Sequence, residues 1–135
     1  MTKLEEQLII DEGFSSKPYK DTVGKLTIGF GRNLDDKGIS RSEAFTMLQT
    51  DIKAAKYDLS RNLKFFDQLC DGRQSALINM TFNMGIDKVL GFKRTLKLME
   101  EGKFEEASIE VLKSKWAEQV GDRAKRISDK IRLGY

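Results

Sequence analysis

Twenty-one Asp and Glu residues and no histidine set the chemistry open to this chain. Without an imidazole there is no His general base, no His relay and no His-ligated zinc. The one cysteine, Cys70, lacks the His partner that a nucleophilic thiol usually uses. It reads instead as a small, half-buried apolar residue. Carboxylates are therefore the obvious acid–base groups. The reaction that most typically uses two of them is glycoside hydrolysis. One acts as a neutral acid that protonates the leaving oxygen, the other as an anion that serves water or the sugar cation. A pair in unlike surroundings supplies that difference. Glu12, at the end of the first predicted helix, and Asp21, beside a turn, form such a pair. From composition alone the same two residues also read as solvated surface acids.

The elements that must position them are legible locally. Thr2-Lys-Leu-Glu5 is a capping box, and Leu4, Leu8 and Ile9 share one face, which predicts a helix over 3–12. Gly13 stands where a left-handed cap belongs. Asp11 and Glu12 then oppose the negative end of the helix dipole, at a cost of a few tenths to about 1 kcal/mol. Residues 14–34 hold the only proline, Pro18, a turn at Thr22-Val23-Gly24-Lys25, and a period-two run over Leu26–Gly31. This predicts a small antiparallel hairpin or meander. Gly29-Phe30-Gly31 lacks the third glycine of a phosphate loop and reads as close backbone packing. Asp35–Gly38 is a polar loop. Ser40-Arg-Ser-Glu43 is a second capping box, opening a helix over 41–60 with Ala44, Leu48, Ile52, Ala55 and Leu59 in phase.

The remainder keeps helical spacing, with breaks at Asp71-Gly72, Gly85, Gly91, Gly102 and Gly121. Arg73–Met84 is apolar on most sides (Ala76, Leu77, Ile78, Met80, Phe82, Met84) and predicts the centre of a helical core. Phe104, Ala107 and Val111 mark one later amphipathic helix, and Ala124, Ile127 and Ile131 mark the last. A helix, a small sheet and then many helices give an α+β fold. We expect one domain over 1–135, with a small β lobe at 13–40, a connecting helix at 41–60, and a helical lobe from 1–12 and 61–135. A cleft is expected where the lobes face each other.

Composition narrows the partners. With 39% hydrophobic and 33% charged residues the chain is neither disordered nor fibrous, and a net charge of +3 excludes a polybasic arm. Residues 113–135 hold seven Lys and Arg against three Asp and Glu. No aromatic platform accompanies them, so no nucleic-acid partner is expected. Attraction to an anionic surface or plain solubility explains the basic patch. The longest apolar run is Leu8-Ile9-Ile10, so neither a signal peptide nor a membrane span is expected. A reducing cytoplasm suits the single thiol.

Ile10-Asp11-Glu12-Gly13, Tyr19-Lys20-Asp21-Thr22, Gly24 and Thr27-Ile28-Gly29-Phe30-Gly31 resemble the catalytic segment of phage-type lysozymes of the T-even bacteriophage family. A Glu, an Asp nine residues on and a Thr six after that form the family's pattern. Two further blocks agree, in family order. One is Ala76–Met80, Phe82, Met84-Gly85 and Gly91-Phe92. The other is Ser114, Trp116, Gln119, Arg123–Arg126 and Arg132.

The resemblance implies an endolysin that cleaves the β-1,4 bond between N-acetylmuramic acid and N-acetylglucosamine in peptidoglycan, with inversion and without metal or cofactor. Glu12 matches the general acid, Asp21 the carboxylate that activates or orients water, and Thr27 the residue that places that water. Gly31, Phe82, Asn83 and Thr95 match sugar-lining positions, and Arg123 an arginine close to the acid. The resemblance further implies a monomer made in the host bacterial cytoplasm, reaching the wall after the membrane is permeabilised. A wall-binding module that grips glycan without cutting it is the alternative, against which the joint presence of Glu12, Asp21 and Thr27 argues.

The chain departs from a close member of the family between its hairpin and its long helix. The Leu34–Ile39 connection is close to the shortest possible, so part of the sheet lobe and a short helix are missing. The resemblance also matches Arg32 to a position that, in a close member of the family, holds a histidine paired with an aspartate on the following long helix, and Asp51 to that aspartate, which predicts an Arg32–Asp51 ion pair.

Overall fold

The structure, a computed structural model, describes all of residues 1–135. It is mainly helical, with one three-stranded antiparallel sheet, the α+β class expected. Helix α1 spans Lys3–Glu12. Its capping box closes in both directions, Glu5 N–H to Thr2 Oγ1 at 3.0 Å and Thr2 N–H to Glu5 Oε1 at 2.7 Å. Gly13 has a positive φ of 68°, but its ψ of −179° is extended, so it is not the left-handed cap expected. The chain must run straight from the helix into a strand.

Strands β1 (Ser15–Lys20), β2 (Leu26–Gly29) and β3 (Arg32–Asn33) form a meander in that order. Tyr19 faces Thr27, Thr27 faces Asn33, and Ile28 faces Arg32. The period-two run expected over Leu26–Gly31 stops at Gly29. Phe30 and Gly31 make the reversal, with Gly29 and Gly31 at φ +68° and +78°, a region that only glycine enters cheaply.

Helix α2 (Arg41–Asn62) opens on the second capping box, with Glu43 N–H to Ser40 Oγ at 3.1 Å and Ser40 N–H to Glu43 Oε1 at 2.8 Å. Arg32 does not pair with Asp51. Its Nη1 donates to Glu43 Oε1 at 2.8 Å and to the Gly38 carbonyl at 3.1 Å, and its Nη2 pairs with Glu43 Oε2. Asp51 lies two helical turns beyond Glu43, about 12 Å along the axis at 1.5 Å per residue. The short connection delivers Arg32 to the first turn of α2, where Glu43 already waits. The Arg32 hydrogen bond, followed by that of the Ser40 amide, pulls the Glu43 carboxyl down from 4.5 to about 2.

The chain divides into two compact units, Met1–Met47 and Leu48–Tyr135. In the first, which contains α1 and the sheet, Thr27 is the one buried residue, and no apolar side chain is fully buried. The second holds most of α2, a 3-10 turn at Phe66–Gln68, and helices α3 (Asp71–Met84), α4 (Ile86–Leu90), α5 (Lys93–Glu100), α6 (Phe104–Leu112), α7 (Lys115–Val120) and α8 (Asp122–Leu133). Its core gathers Leu59, Phe66, Ala76, Leu77, Met80, Val89, Met99, Val111, Ile127 and Ile131. Helix α8 packs on both α3 and α6. Of the positions expected on α6 and α8, Ala107, Val111, Ala124, Ile127 and Ile131 are buried, and Phe104 is partly buried against them.

Three expectations are corrected here. Phe82, on α3, is 48% exposed, because Leu77, Met80 and Thr81 form the buried stripe and Phe82 falls outside it. Asp71-Gly72 is the first turn of α3, where the missing side chain of Gly72 lets the backbone of Gly134 and Tyr135 close in. Cys70 is exposed and donates to the Gly134 carbonyl at 3.3 Å. Arg73 completes this junction. It donates to the Ile131 and Arg132 carbonyls at 2.7 and 2.9 Å and lies 3.6 Å over the Phe104 ring.

Two outcomes are expected. A Cβ on Gly72 would fall 2.4 Å from the Gly134 carbonyl carbon, so Gly72→Ala must move backbone. Chemical denaturation should show a loss of about 1–3 kcal/mol, the usual cost of overpacking. The Glu43 pair sets an acid limit. Because its folded pKa lies below its ordinary value, its stabilisation is complete above about 4.5 and lost as pH falls to about 2. Melting temperatures of the native chain and Glu43→Gln should keep a constant gap from about pH 8 to 5, since Arg32 stays charged, and converge below. A gap that persists undiminished to about pH 2 would refute the pair.

Candidate active site

Four of the residues singled out in the sequence lie in the first unit, where they form two pairs, Glu12 with Gly31 and Asp21 with Thr27 through the main chain of Lys25. Glu12 is the last residue of α1. Its carboxylate rests on the α-carbon of Gly31, so closely that a Cβ there would stand 2.7 Å from Oε2 and 2.9 Å from Cδ. Gly31 is thus needed twice, for its positive φ and for its missing side chain.

Asp21 sits at the turn between β1 and β2. Its Oδ1 accepts from the Val23 and Lys25 amides at 3.0 and 2.8 Å. An Asx-type turn of this kind suits a short polar side chain. Thr27 is buried in the middle strand, and its Oγ1 donates to the Lys25 carbonyl at 3.0 Å. The same carbonyl accepts from the Asp21 amide at 2.9 Å. The main chain of Lys25 therefore binds Asp21 on both its groups and Thr27 on its hydroxyl. With its proton committed, Thr27 Oγ1 keeps lone pairs that can accept from a water.

The surroundings of the two carboxylates differ. Asp21 is half-buried and commits one oxygen to backbone amides, leaving Oδ2 for other work. Glu12 is exposed and lies against carbon, with no hydrogen-bond donor within its unit.

The other four lie in the second unit. Asn83 Oδ1 accepts from the Trp116 indole at 2.8 Å, leaving its amide nitrogen free to donate. Trp116 in turn meets Phe92 edge-on, 6.0 Å between ring centres. Phe82 and Arg123 border one hollow of about 340 Å³ with Leu48, Ile52, Ser75, Ile78 and Asn79. Arg123 Nε donates to Asn79 Oδ1 at 2.8 Å. Thr95 is almost wholly buried on α5. It borders a smaller hollow with Glu110, which pairs with Arg94 and Lys113 at 3.4 and 3.5 Å.

Sequence reasoning passed over several supporting residues. Asp35 Oδ2 accepts from the Leu26 amide at 2.7 Å, pinning the strand that carries Thr27. Nothing in its local sequence separates it from Asp36, which takes Lys25 and Asn33 instead. The Asn83–Trp116 bond joins residues 33 apart, and its only sequence signal is that a buried indole N–H needs an acceptor.

Two carboxylates in unlike settings are groups that glycoside hydrolysis can use, and comparison with known proteins points to the same class. The phage lysozyme family model matches residues 10–130, and the chain belongs to that family. It is accordingly a lysozyme-type enzyme acting on peptidoglycan. It is 32% identical to probable T4-type lysozyme 1 of Dictyostelium discoideum over 163 aligned positions, which cover 99% of this chain and 96% of that protein. Probable T4-type lysozyme 2 of the same organism is 31% identical, with the same coverage. The pre-baseplate central spike protein Gp5 of Enterobacteria phage T4 is 29% identical over 96% of this chain, a match to 27% of that protein. An alignment of 163 positions against a chain of 135 means that the first relative carries residues this chain lacks.

Gly31→Ala tests the contact at the centre of this geometry. The new methyl displaces the Glu12 carboxylate, which can swing away, so the fold should survive at a cost of about 1–2 kcal/mol for the positive φ. A misplacement of about 1 Å costs on the order of 100-fold in rate. Peptidoglycan hydrolysis should fall by about that factor while circular dichroism stays native.

Proposed function

We propose that this enzyme hydrolyses the β-1,4 bond between N-acetylmuramic acid and N-acetylglucosamine, with inversion at the anomeric carbon. Glu12 protonates the leaving glycosidic oxygen. Asp21, through its uncommitted Oδ2, orients and deprotonates a water. Thr27 Oγ1 accepts a hydrogen bond from that water and so fixes its direction. The observation that carries this reading is the unlike setting of the two carboxylates. One is locked into a turn by two amides and the other lies bare against Gly31. Inversion requires space for a water between Asp21 and the sugar, and a water-placing hydroxyl rather than a nucleophile beside the anomeric carbon suits that route. In the second unit, the free amide nitrogen of Asn83 and the exposed ring of Phe82 are groups whose chemistry suits a sugar.

We further infer that the net positive charge favours encounter with anionic wall polymers, an effect that salt weakens. No helix is long and apolar enough to cross a membrane. In a bacterial host, wall access from the cytoplasm would then depend on prior permeabilisation of the membrane.

Reducing-end release from purified peptidoglycan tests the reading. Glu12→Gln keeps the shape and loses the proton, and activity should drop at least 100-fold with the fold intact. A variant that keeps more than about a tenth of the activity would remove Glu12 from the acid role. Wall binding without any reducing-end release by the native chain would instead favour the non-catalytic module. NMR of the first-formed anomer, α from a β bond, reads the inversion directly.

A further inference from the structure

Glu43 stands outside the catalytic set, yet three features of the first unit converge on its carboxylate. It caps α2 by accepting from the Ser40 amide at 2.8 Å. It grips both terminal nitrogens of Arg32, one of them at 2.8 Å. Through Arg32 it also fixes the Gly38 carbonyl at 3.1 Å, closing the connection between β3 and α2. Arg32 directly follows Gly31, whose α-carbon is the surface on which the Glu12 carboxylate lies.

Besides this clamp, the reversal is held by the ring of Phe30, which meets that of Phe14 at 5.2 Å between centres, though both rings stay largely exposed. Strand β3 is two residues long and meets β2 through two residue pairs. No apolar side chain of the unit is fully buried, so packing does not over-determine the position of the reversal at Phe30-Gly31. A bidentate Arg–carboxylate pair restricts direction as well as distance, which a point charge does not.

We propose that Glu43 is a positioning residue for the catalytic acid: by clamping Arg32 to the first turn of α2, it sets the Gly31 backbone against which Glu12 is aimed. This rests on the assignment of Glu12 as the acid. Removal of the clamp lets the reversal drift, and Glu12 loses its aim while the rest of the fold remains. Glu43→Gln preserves an oxygen for the Ser40 amide but loses the charged fork. Arg32→Lys keeps the charge and loses the fork.

The test combines kinetics with a measurement on the resting enzyme. At a temperature well below melting for every variant, kcat on solubilised peptidoglycan should fall about 10- to 100-fold in Glu43→Gln and Arg32→Met, with KM within about twofold. The double variant should be no worse than either single one, because one clamp is lost in each. Arg32→Lys should rescue only in part. In the uninhibited native chain, NMR should show a cross-peak between the Gly31 α protons and the Glu12 γ protons, and this should vanish in both single variants. An unchanged kcat, losses that multiply in the double variant, or a retained cross-peak in Glu43→Gln would each overturn the proposal. The cross-peak keeps this test separate from the acid assignment. If Glu12→Gln remains active, the acid reading fails, while the cross-peak still reports whether the clamp aims Glu12.

Discussion

The sheet-bearing unit is short of apolar packing, and that constraint shapes how its geometry is held. In Met1–Met47 the one fully buried residue is a threonine. Units of about this size seldom bury enough apolar area to fix their own conformation. Order here comes instead from carboxylates that reach several backbone or cationic groups at once. Asp21 holds its turn, Asp35 pins the Leu26 amide, and Glu43 joins the Ser40 amide to Arg32. Each is a directional tie that a change of charge would loosen. In Leu48–Tyr135 the balance is reversed. Leu59, Phe66, Leu77, Val89, Val111 and Ile131 show no exposed surface, and there a change of volume is what the fold would register.

The candidate site inherits this polar construction. The proposed acid, water-activating carboxylate and water-placing hydroxyl come from a helix end, a β turn and a middle strand. Two of the three meet on the main chain of Lys25, the carboxylate on its N–H and the hydroxyl on its carbonyl. Carboxylates can do the whole acid–base task in a chain without histidine because environment, not residue type, divides the roles. Glycine takes part as well. At Gly31 the absence of a side chain makes the space in which the proposed acid lies.

Arg32 shows how local geometry selects a contact. An arginine carries a long side chain and a planar fork, and it remains charged at any ordinary pH. With only a few residues between β3 and α2, the carboxylate that Arg32 meets is that of the capping box, and one glutamate serves both as cap and as clamp.

Sequence alone determined whatever depends on residues close along the chain. Both capping boxes, the span of α1, the start of α2, the meander and the core stripes of α6 and α8 were legible, because each follows from side-chain period or from bonds within three or four residues. The absence of histidine pointed to carboxylates such as Glu12 and Asp21, whereas Thr27 and the spacing of the three entered only through the resemblance to phage-type lysozymes. Contacts between distant residues were decided only by tertiary structure. Arg32 chooses Glu43 over Asp51 because of where the connection places it, and no pattern of charges states that distance. Phe82 leaves the core because α3 turns another face to α8. Gly72 looked like a helix break and is a point of backbone contact with Gly134, 62 residues away in the chain. Local sequence encodes propensity and hydrogen bonds within a turn, whereas the partner of a long side chain or of a missing one is set by which backbone arrives beside it.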